Sequence, residues 1–176
     1  MRITRGCRHI FKLYQLSILV ALIPTTVFAQ ATPNRPTFAE YVVKRIYQGP
    51  PTTPTLSRAQ RVYRTMIRRG AKSRVEFAGH YTVPNFGCGG GCNFFYIVDS
   101  ITGKVYDGFA VTEFPGKWLD DGHSDDWGIQ FVPSSRLFKV NGCPDEHNCG
   151  FYDYIMVDGK GLRLIRKQLL PADYQH

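Results

Sequence analysis

The first residue whose type and setting could do chemistry is His80, in the segment Phe77-Ala78-Gly79-His80-Tyr81-Thr82. A neutral imidazole serves as a general base when a carboxylate orients it, and Glu76 or Asp99 would have to supply that carboxylate. The pattern around His80 predicts a strand that leads into a glycine-rich loop. A strand histidine is more often structural, with its ring nitrogens hydrogen-bonded within the sheet. His80 is therefore a candidate catalytic residue without a complete catalytic set.

The densest polar cluster is the run Asp120-Asp121-Gly122-His123-Ser124-Asp125-Asp126. Asp121 and His123 are the other candidate catalytic residues, and they reach His80 only if this loop folds over its strand. The same oxygens and imidazole are potential ligands for a divalent cation. A calcium loop of the EF-hand type is excluded, because the sixth position has no glycine and Phe131 replaces the glutamate of the twelfth. The pattern favours a solvated acidic loop, so we expect no bound metal and no cofactor.

Common hydrolase motifs are missing from the sequence. The chain contains no His-Glu-x2-His, no Gly-x-Ser-x-Gly and no Ser-x2-Lys. The stretch Gly87–Gly91 lacks the Lys-Ser or Lys-Thr ending of a phosphate-binding loop. The sequence therefore leans towards a protein that is not an enzyme.

Four cysteines follow the N-terminal region: Cys88, Cys92, Cys143 and Cys149. Three pairings are open to them. A bridge across about 50–60 residues would stabilise the fold by ~4 kcal/mol, against ~2 kcal/mol for a local one. We nevertheless predict the local bonds Cys88–Cys92 and Cys143–Cys149, because Gly89-Gly90-Gly91 permits a tight turn between two strands. The spacings fit a zinc site poorly, and a hairpin tip does not lower a thiol pKa as a redox-active dithiol requires.

Seven cations form what we call the basic ridge, on one face of a predicted helix and just beyond it: Arg58, Arg61, Arg64, Arg68, Arg69, Lys72 and Arg74. Arg61, Arg64 and Arg68 are its candidate binding residues, for anionic lipid headgroups or an acidic protein. A plain solvated face is the more common explanation of such a row of cations. No nucleic-acid-binding motif is present, so we expect no nucleic-acid partner. Trp118, in the loop Pro115-Gly116-Lys117-Trp118, is the candidate exposed aromatic anchor.

The N-terminal residues 1–29 have the pattern of a cleavable signal peptide. They contain four basic residues and no acidic one, then an apolar stretch from Leu16 to Ile23, then Val27-Phe28-Ala29. The apolar run is too short for a membrane span, which needs about 20 residues. We predict cleavage after Ala29, with Ala31 as the second choice. The chain is then exported to the periplasm or secreted, with no membrane span after cleavage.

Beyond the signal peptide, the sequence predicts a lead-in and proline-rich connector over 30–55 and a single α+β domain over 56–176. We expect residues 38–55 to pack on that domain. Ser57 caps a helix that runs to Gly70 and carries one apolar stripe. The strand pattern predicts an antiparallel β-meander of about six to seven strands, with one or two N-terminal helices packed on it. We place the strands near 76–84, 93–99, 104–113, 128–132, 136–141, 151–157 and 161–168, with a hairpin turn at Asp158-Gly159.

Several motifs together resemble small exported proteins of Gram-negative bacteria. They are the Phe77–Thr82 segment, the loop Gly87-Cys88-Gly89-x2-Cys92, and Ile97-Val98-Asp99 followed by Thr102-Gly103-Lys104. The resemblance extends from about Phe38 to Arg166. It implies a periplasmic location and no catalytic residue, because that family has no known activity to transfer.

Two hypotheses for function follow from these patterns. The first is a non-catalytic periplasmic binding or interaction domain of the inhibitor or immunity type, whose partner is an envelope protein or another anionic envelope component. Small disulfide-held loops suit this role, because pre-organisation lowers the entropic cost of binding. The second is an envelope-acting hydrolase that uses His80 with the 120–126 loop. A pocket containing both groups would favour the enzyme.

Overall fold

An antiparallel sheet of eight strands with few helices makes up most of the described part of the chain. The computed structural model describes residues 35–122 and 128–175. The antiparallel sheet is confirmed and is consistent with the predicted α+β meander, whereas the predicted signal peptide lies outside the described residues. The strands are β1 (Tyr81–Thr82), β2 (Asn85–Gly89), β3 (Cys92–Asp99), β4 (Val105–Thr112), β5 (Gly128–Gln130), β6 (Leu137–Pro144), β7 (Gly150–Val157) and β8 (Gly161–Leu169).

The strands lie in the order β1-β3-β4-β6-β7-β8, and their pairings are antiparallel. β1 and β2 both pair with β3, one after the other, so they act as one interrupted strand. β4 and β5 likewise share one side of β6: Thr112 lies opposite Cys143, and Ile129 lies opposite Val140. When β1 and β2 are counted as one strand, the order of the strands across the sheet follows their order in the chain except at β5. That strand lies beyond the end of β4 and not between β4 and β6.

The main core lies on one face of this sheet and is rich in aromatic rings. Phe138 and Val140 point inward from alternate positions of β6, and both are fully buried. The ring of Phe138 lies 5.3 Å from that of Phe77 and 5.0 Å from that of Phe95, centroid to centroid. Burial of these large apolar side chains is the dominant stabilising contribution to the fold.

The helical segment begins at a reciprocal cap. The N–H of Ser57 donates to Gln60 Oε1 at 2.9 Å, and the N–H of Gln60 donates to Ser57 Oγ at 3.3 Å. One turn of 3₁₀-helix, Gln60–Tyr63, then leads into α1 (Arg64–Gly70). Ser57 therefore caps the segment, and the helix ends at Gly70, as the sequence predicts.

The predicted apolar stripe of this helix is wrong in its first turn. Val62 is 78 % exposed, while Gln60 is buried and donates from Nε2 to Asp107 Oδ1 at 2.8 Å. A 3₁₀ turn has about 3.0 residues instead of 3.6, so it rotates its side chains away from α-helical positions. Ile67, fully buried, is the stripe residue that reaches the core beside the sheet. The predicted stripe consists of Ala59, Val62, Tyr63, Met66 and Ile67.

The chain before the helix is hydrogen-bonded along the sheet. Arg35, at the end of the predicted lead-in, is held by the buried carboxylate of Asp153. The proline-rich connector runs beside the turn between β3 and β4, where the N–H of Thr52 donates to Ser100 O at 2.8 Å. Among the residues that the structure describes, none of the helices is both long and apolar enough to cross a membrane.

Candidate functional site

His80 lies in a tight turn just before β1, and this corrects the prediction that it lies in a strand. Phe77 and Tyr81 close the turn with two backbone hydrogen bonds of 2.9 and 3.0 Å. Inside it, Ala78 and Gly79 have φ values of +45° and +84°. The left-handed conformation of an alanine costs about 1–2 kcal/mol, so neighbouring segments must hold the turn in place.

Two carbonyl groups outside the turn hold it. The N–H of Ala78 donates to Ser135 O at 3.2 Å, and that of Gly79 donates to Pro133 O at 2.8 Å. On the other side, the carbonyl of His80 accepts the N–H of Ser100 at 2.8 Å. The position of His80 is therefore set by the segment before β6 and by the turn after β3.

The imidazole of His80 is partly buried against the sheet. Its ring centroid lies 4.1 Å from that of Tyr81, and its Nε2 lies 3.9 Å from Asp99 Oδ2. This distance is too long for a hydrogen bond. Asp99 uses its other oxygen to accept the N–H groups of Ile101 and Thr102 at 2.8 and 3.2 Å. Asp99 thus shapes the turn between β3 and β4 and does not make the close contact that orients a general base.

Two neighbouring polar side chains, Glu76 and Tyr81, also have structural partners. Glu76 Oε2 accepts the N–H of Val83 at 3.1 Å, so this carboxylate holds the backbone beside β1. The hydroxyl of Tyr81 donates to Asp158 Oδ1 at 3.1 Å. Burial, with a smaller contribution from the charge of Asp158, raises the pKa of Tyr81 well above its usual range. This hydroxyl stays protonated at physiological pH and cannot act as a base.

The acidic run begins at the end of a second short helix, α2 (Gly116–Asp120). Asp121 Oδ2 accepts the hydroxyl of Tyr174 at 2.8 Å. His123 and the rest of the run to Asp126 lie outside the described residues. Within residues 35–122 and 128–175, no three His, Cys, Asp or Glu side chains are placed to hold a metal ion.

His80 and Asp121 lie near opposite ends of β7. The turn of His80 is tied through Tyr81 to Asp158, just beyond the last residue of β7. Asp121 is tied through Tyr174 to the packing cluster of Cys149, just before the first residue of that strand. A strand of this length spans about 23 Å. The structure therefore does not bring these two candidate catalytic residues together.

Both predicted disulfides are present, Cys88–Cys92 and Cys143–Cys149. The first closes the hairpin of β2 and β3, and its Cys88 is exposed. The intervening Gly89, Gly90 and Gly91 all have positive φ, between +52° and +95°. A Cβ atom added at Gly89 or Gly90 would meet no heavy atom within 4 Å. The loop 88–92, which we call the stapled tip, is thus an exposed segment with a constrained backbone.

The second disulfide lies in the core. Cys143 and Cys149 have no exposed surface and pack against Phe114. Trp118 packs on the same cluster, with its ring 5.8 Å from that of Phe114 and perpendicular to that of Tyr174 at 5.1 Å. Trp118 is half-buried, so much of the predicted aromatic anchor is already occupied by contacts within the chain.

The basic ridge is exposed, including its candidate binding residues Arg61, Arg64 and Arg68. Beside it lies an aromatic cluster that the sequence pattern did not indicate. The ring of Tyr63 stacks at 5.4 Å on Phe86 and at 5.9 Å on Phe94, and Tyr63 is still 40 % exposed. The capping pair of Ser57 and Gln60 is visible in the sequence. It predicts the rotation of this helix about its axis, and with it the exposure of Val62 and Tyr63.

Comparison of the chain with protein-family models, with curated proteins and with solved structures gives no match. The resemblance to exported proteins of Gram-negative bacteria therefore stays a prediction. The function of the protein has to be inferred from the stapled tip, the basic ridge and the surroundings of His80.

Proposed function

We propose that this protein is a non-catalytic binding domain of the bacterial periplasm, of the inhibitor or immunity type. In this proposal the stapled tip contacts an enzyme that acts on the cell envelope. The observation that carries it is the exposure of a loop whose backbone is already closed by Cys88–Cys92. Such a loop loses little conformational entropy on binding, which favours affinity.

Export is supported by two independent features. The first is the basic, then apolar, then small-residue pattern of residues 1–29. The second is the presence of two disulfides, which fit a periplasmic or extracellular protein. Disulfides persist in oxidising compartments and are rare in the cytosol of mesophiles.

A non-catalytic role is supported by the surroundings of the candidate catalytic residues. The ring of His80 lies against that of Tyr81, and its Nε2 is 3.9 Å from Asp99 Oδ2, too far for a hydrogen bond. Asp121 is bonded to Tyr174 near the opposite end of β7. General acid–base catalysis needs each group within hydrogen-bond reach of the proton that it transfers on one bound substrate. A hydrolase that relied on His80 and Asp121 would have to work with these two groups far apart.

The test is inhibition of an envelope enzyme by protein purified from the periplasm. We expect the wild type to slow, in a dose-dependent way, one hydrolytic activity of envelope extracts on peptidoglycan or another envelope polymer. The Gly90→Asn variant should weaken this inhibition about tenfold or more, because the new side chain projects from the tip. Asparagine tolerates the φ of +52° at this position.

The matched control is Gly159→Asn, in the turn between β7 and β8. Gly159 also has a positive φ, +75°, and open space around its Cβ position. This variant should inhibit as well as the wild type. Equal losses in the two variants, or no inhibition by the wild type, would refute the proposed role of the tip. Hydrolysis by the wild type that disappears in a folded His80→Gln variant would replace the binding domain with the enzyme.

A further inference from the structure

Residues 41–75 contain nine cations and not one acidic residue. The predicted exported chain, residues 30–176, has 18 cations and 14 acidic residues in all. The rest of that chain therefore holds nine cations and all 14 acidic residues. Positive charge is concentrated in one short part of the sequence, and the seven residues of the basic ridge lie within it.

The structure keeps these charges on the surface and apart from carboxylates. All seven residues of the basic ridge are exposed. In the described part of the chain, none of them lies within 4.0 Å of a carboxylate oxygen, since the ion pairs there involve Arg35, His80 and Arg166. Cations near the end of a helix are favourable, which accounts for Arg68 and Arg69. It does not account for Arg58, Arg61 and Arg64, which come before or at the start of α1.

Apolar side chains are exposed in the middle of this positive surface. Val62 is 78 % exposed, the highest value among the large hydrophobic residues that the structure describes, and Tyr63 is 40 % exposed. Arg61 and Arg64 flank this pair in sequence. Exposed apolar residues with arginines around them are also found in peptide segments that lie in a membrane interface. The stacking of Tyr63 on Phe86 and Phe94 holds the helix firmly on the sheet beneath.

A cleft of about 670 Å³ opens at the end of the basic ridge. Its charged lining residues are Lys72 and Arg74, and Ser73 and Gln48 add polar groups. None of its described lining residues is acidic. A cleft of this composition fits a phosphate group, and its apolar neighbour Ile46 fits the less polar part of a lipid headgroup region.

We propose that the basic ridge, with Val62 and Tyr63, docks this protein on the surface of an anionic phospholipid bilayer. The ridge is a set of exposed cations without nearby described carboxylates, which suits a fluid surface whose anionic headgroups can rearrange around it. Each cation near an anionic bilayer contributes about 1 kcal/mol to binding. This interaction goes beyond the proposed function, because it uses residues outside the stapled tip and does not depend on an enzyme partner.

The experiment is sedimentation of the periplasmic protein with vesicles of phosphatidylcholine alone or mixed with phosphatidylglycerol. We expect binding to the mixed vesicles and little binding to phosphatidylcholine. The triple variant Arg61→Glu, Arg64→Glu, Arg68→Glu should bind about 100-fold more weakly or worse. A second triple variant, Lys160→Glu, Arg163→Glu, Lys167→Glu, has the same net charge but changes exposed residues of β8 and the turn before it. It should keep most of the binding.

The apolar contribution is tested at high salt. Near 1 M salt the Debye length falls to about 3 Å, so attraction between the ridge and the lipids is largely screened. Residual binding should then fall in Val62→Ser but not in Ile101→Ser, whose side chain is 49 % exposed in the turn between β3 and β4. Thermal unfolding of every variant confirms that it is folded.

Three results would overturn the proposal. One is equal binding to the two kinds of vesicle. Another is an equal loss in the two triple variants, which would mean that net charge alone drives adsorption. The third is that the wild type does not bind protein-free vesicles and sediments only with membranes that carry their native proteins. The ridge would then bind an acidic protein and not the lipid. The proposed inhibition of an envelope enzyme is measured in extracts freed of membranes. Its outcome therefore does not depend on any of these three results.

Discussion

Nε of Arg35 lies 2.8 Å from Oδ1 of Asp153, a carboxylate with no exposed surface in the middle of β7. Arg166, from β8, approaches the other oxygen of Asp153 at 3.5 Å. Arg35 also donates to Asn141 Oδ1 at 2.6 Å. One buried carboxylate is thus satisfied by two guanidinium groups, and one of them ties the start of the described chain to a strand 118 residues further on.

Removing this carboxylate should destabilise the protein strongly. We expect Asp153→Ala to lower the free energy of unfolding by about 3–5 kcal/mol, because it leaves two partly buried cations without their partner. Arg35→Ala should cost less, about 1–3 kcal/mol, since Arg166 still faces Asp153. Urea unfolding measures both. Asp173→Ala, at an exposed position, is the control. A loss in Asp153→Ala no larger than in this control would show that the buried pair adds nothing to stability.

The two disulfides should differ in their access to a reductant. Cys88 is exposed, whereas Cys143 and Cys149 have no exposed surface. Thiol–disulfide exchange requires the attacking thiolate to reach a sulfur atom. Mild dithiothreitol without denaturant should therefore reduce Cys88–Cys92 first, and alkylation followed by mass spectrometry should label those two cysteines. Labelling of all four cysteines at one rate would contradict the buried position of the second bond.

Replacing each disulfide by serines separates loop closure from packing. Both bonds close short loops. By restricting the unfolded chain, each should stabilise the folded state by ~2 kcal/mol. The pair Cys143→Ser and Cys149→Ser should nevertheless cost clearly more than Cys88→Ser and Cys92→Ser, because its hydroxyls enter a buried cluster beside Phe114. Urea unfolding compares the two double variants. Equal losses would mean that the surrounding cluster accepts the hydroxyls without penalty.

Stability should fall at alkaline pH. Burial raises the pKa of Tyr154 to about 12 and raises that of Tyr81 further, with a contribution from Asp158. Tyrosine in an unfolded chain ionises near about 10. The folded protein therefore holds protons that the unfolded chain has lost, so these groups lower the free energy of unfolding as pH rises above about 10. Below that pH their contribution is fully present.

The measurement is urea unfolding at several pH values from neutral to about 12. Tyr154→Phe should reduce the steepness of the fall above about pH 10, because one of the shifted groups is gone. Absorbance of ionised tyrosine, followed in the same samples, should show some rings titrating only as the protein unfolds. A stability that stays constant up to about pH 12 would contradict the buried, protonated state of these hydroxyls.

Export predicts a defined start of the mature chain. Protein recovered from the periplasm should have the intact mass of residues 30–176, with both disulfides formed, because the small residues before Gln30 suit signal peptidase. Intact-mass spectrometry before and after reduction checks both points. A chain that retains Met1 and fractionates with the inner membrane would exclude the predicted cleavage and location.

Local pattern was sufficient to predict most of the strands. The predicted segments 93–99, 104–113, 151–157 and 161–168 match β3, β4, β7 and β8 closely, because alternation and turn residues act over short distances. The turn at Asp158-Gly159 is one example: Gly159 has a φ of +75°, and the N–H of Lys160 donates to Val157 O. The local disulfides were predictable for the same reason.

The errors arise where a distant residue decides the local structure. Gln60 turns inward because Asp107, 47 residues away, accepts its amide group. Ala78 keeps a left-handed conformation because Ser135, from the segment before β6, binds its N–H. The pairing of Arg35 with Asp153 joins residues even further apart. Neither alternation nor turn composition contains the contacts of Ala78 and Arg35, so the turn at His80 and the anchored N-terminal segment were missed. The inward glutamine has a local signal as well, its capping pair with Ser57, which the apolar stripe does not include.

The burial of Cys143 and Cys149 also constrains the order of events during folding. An oxidising enzyme can reach these thiols only before Phe114, Phe151 and Leu170 close around them. The Cys88–Cys92 bond does not have to form before folding is complete, because its loop is on the surface of the folded protein. The chain must therefore acquire its inner bond while that end of the sheet is still open, whereas its outer bond can form, break and re-form after folding is complete.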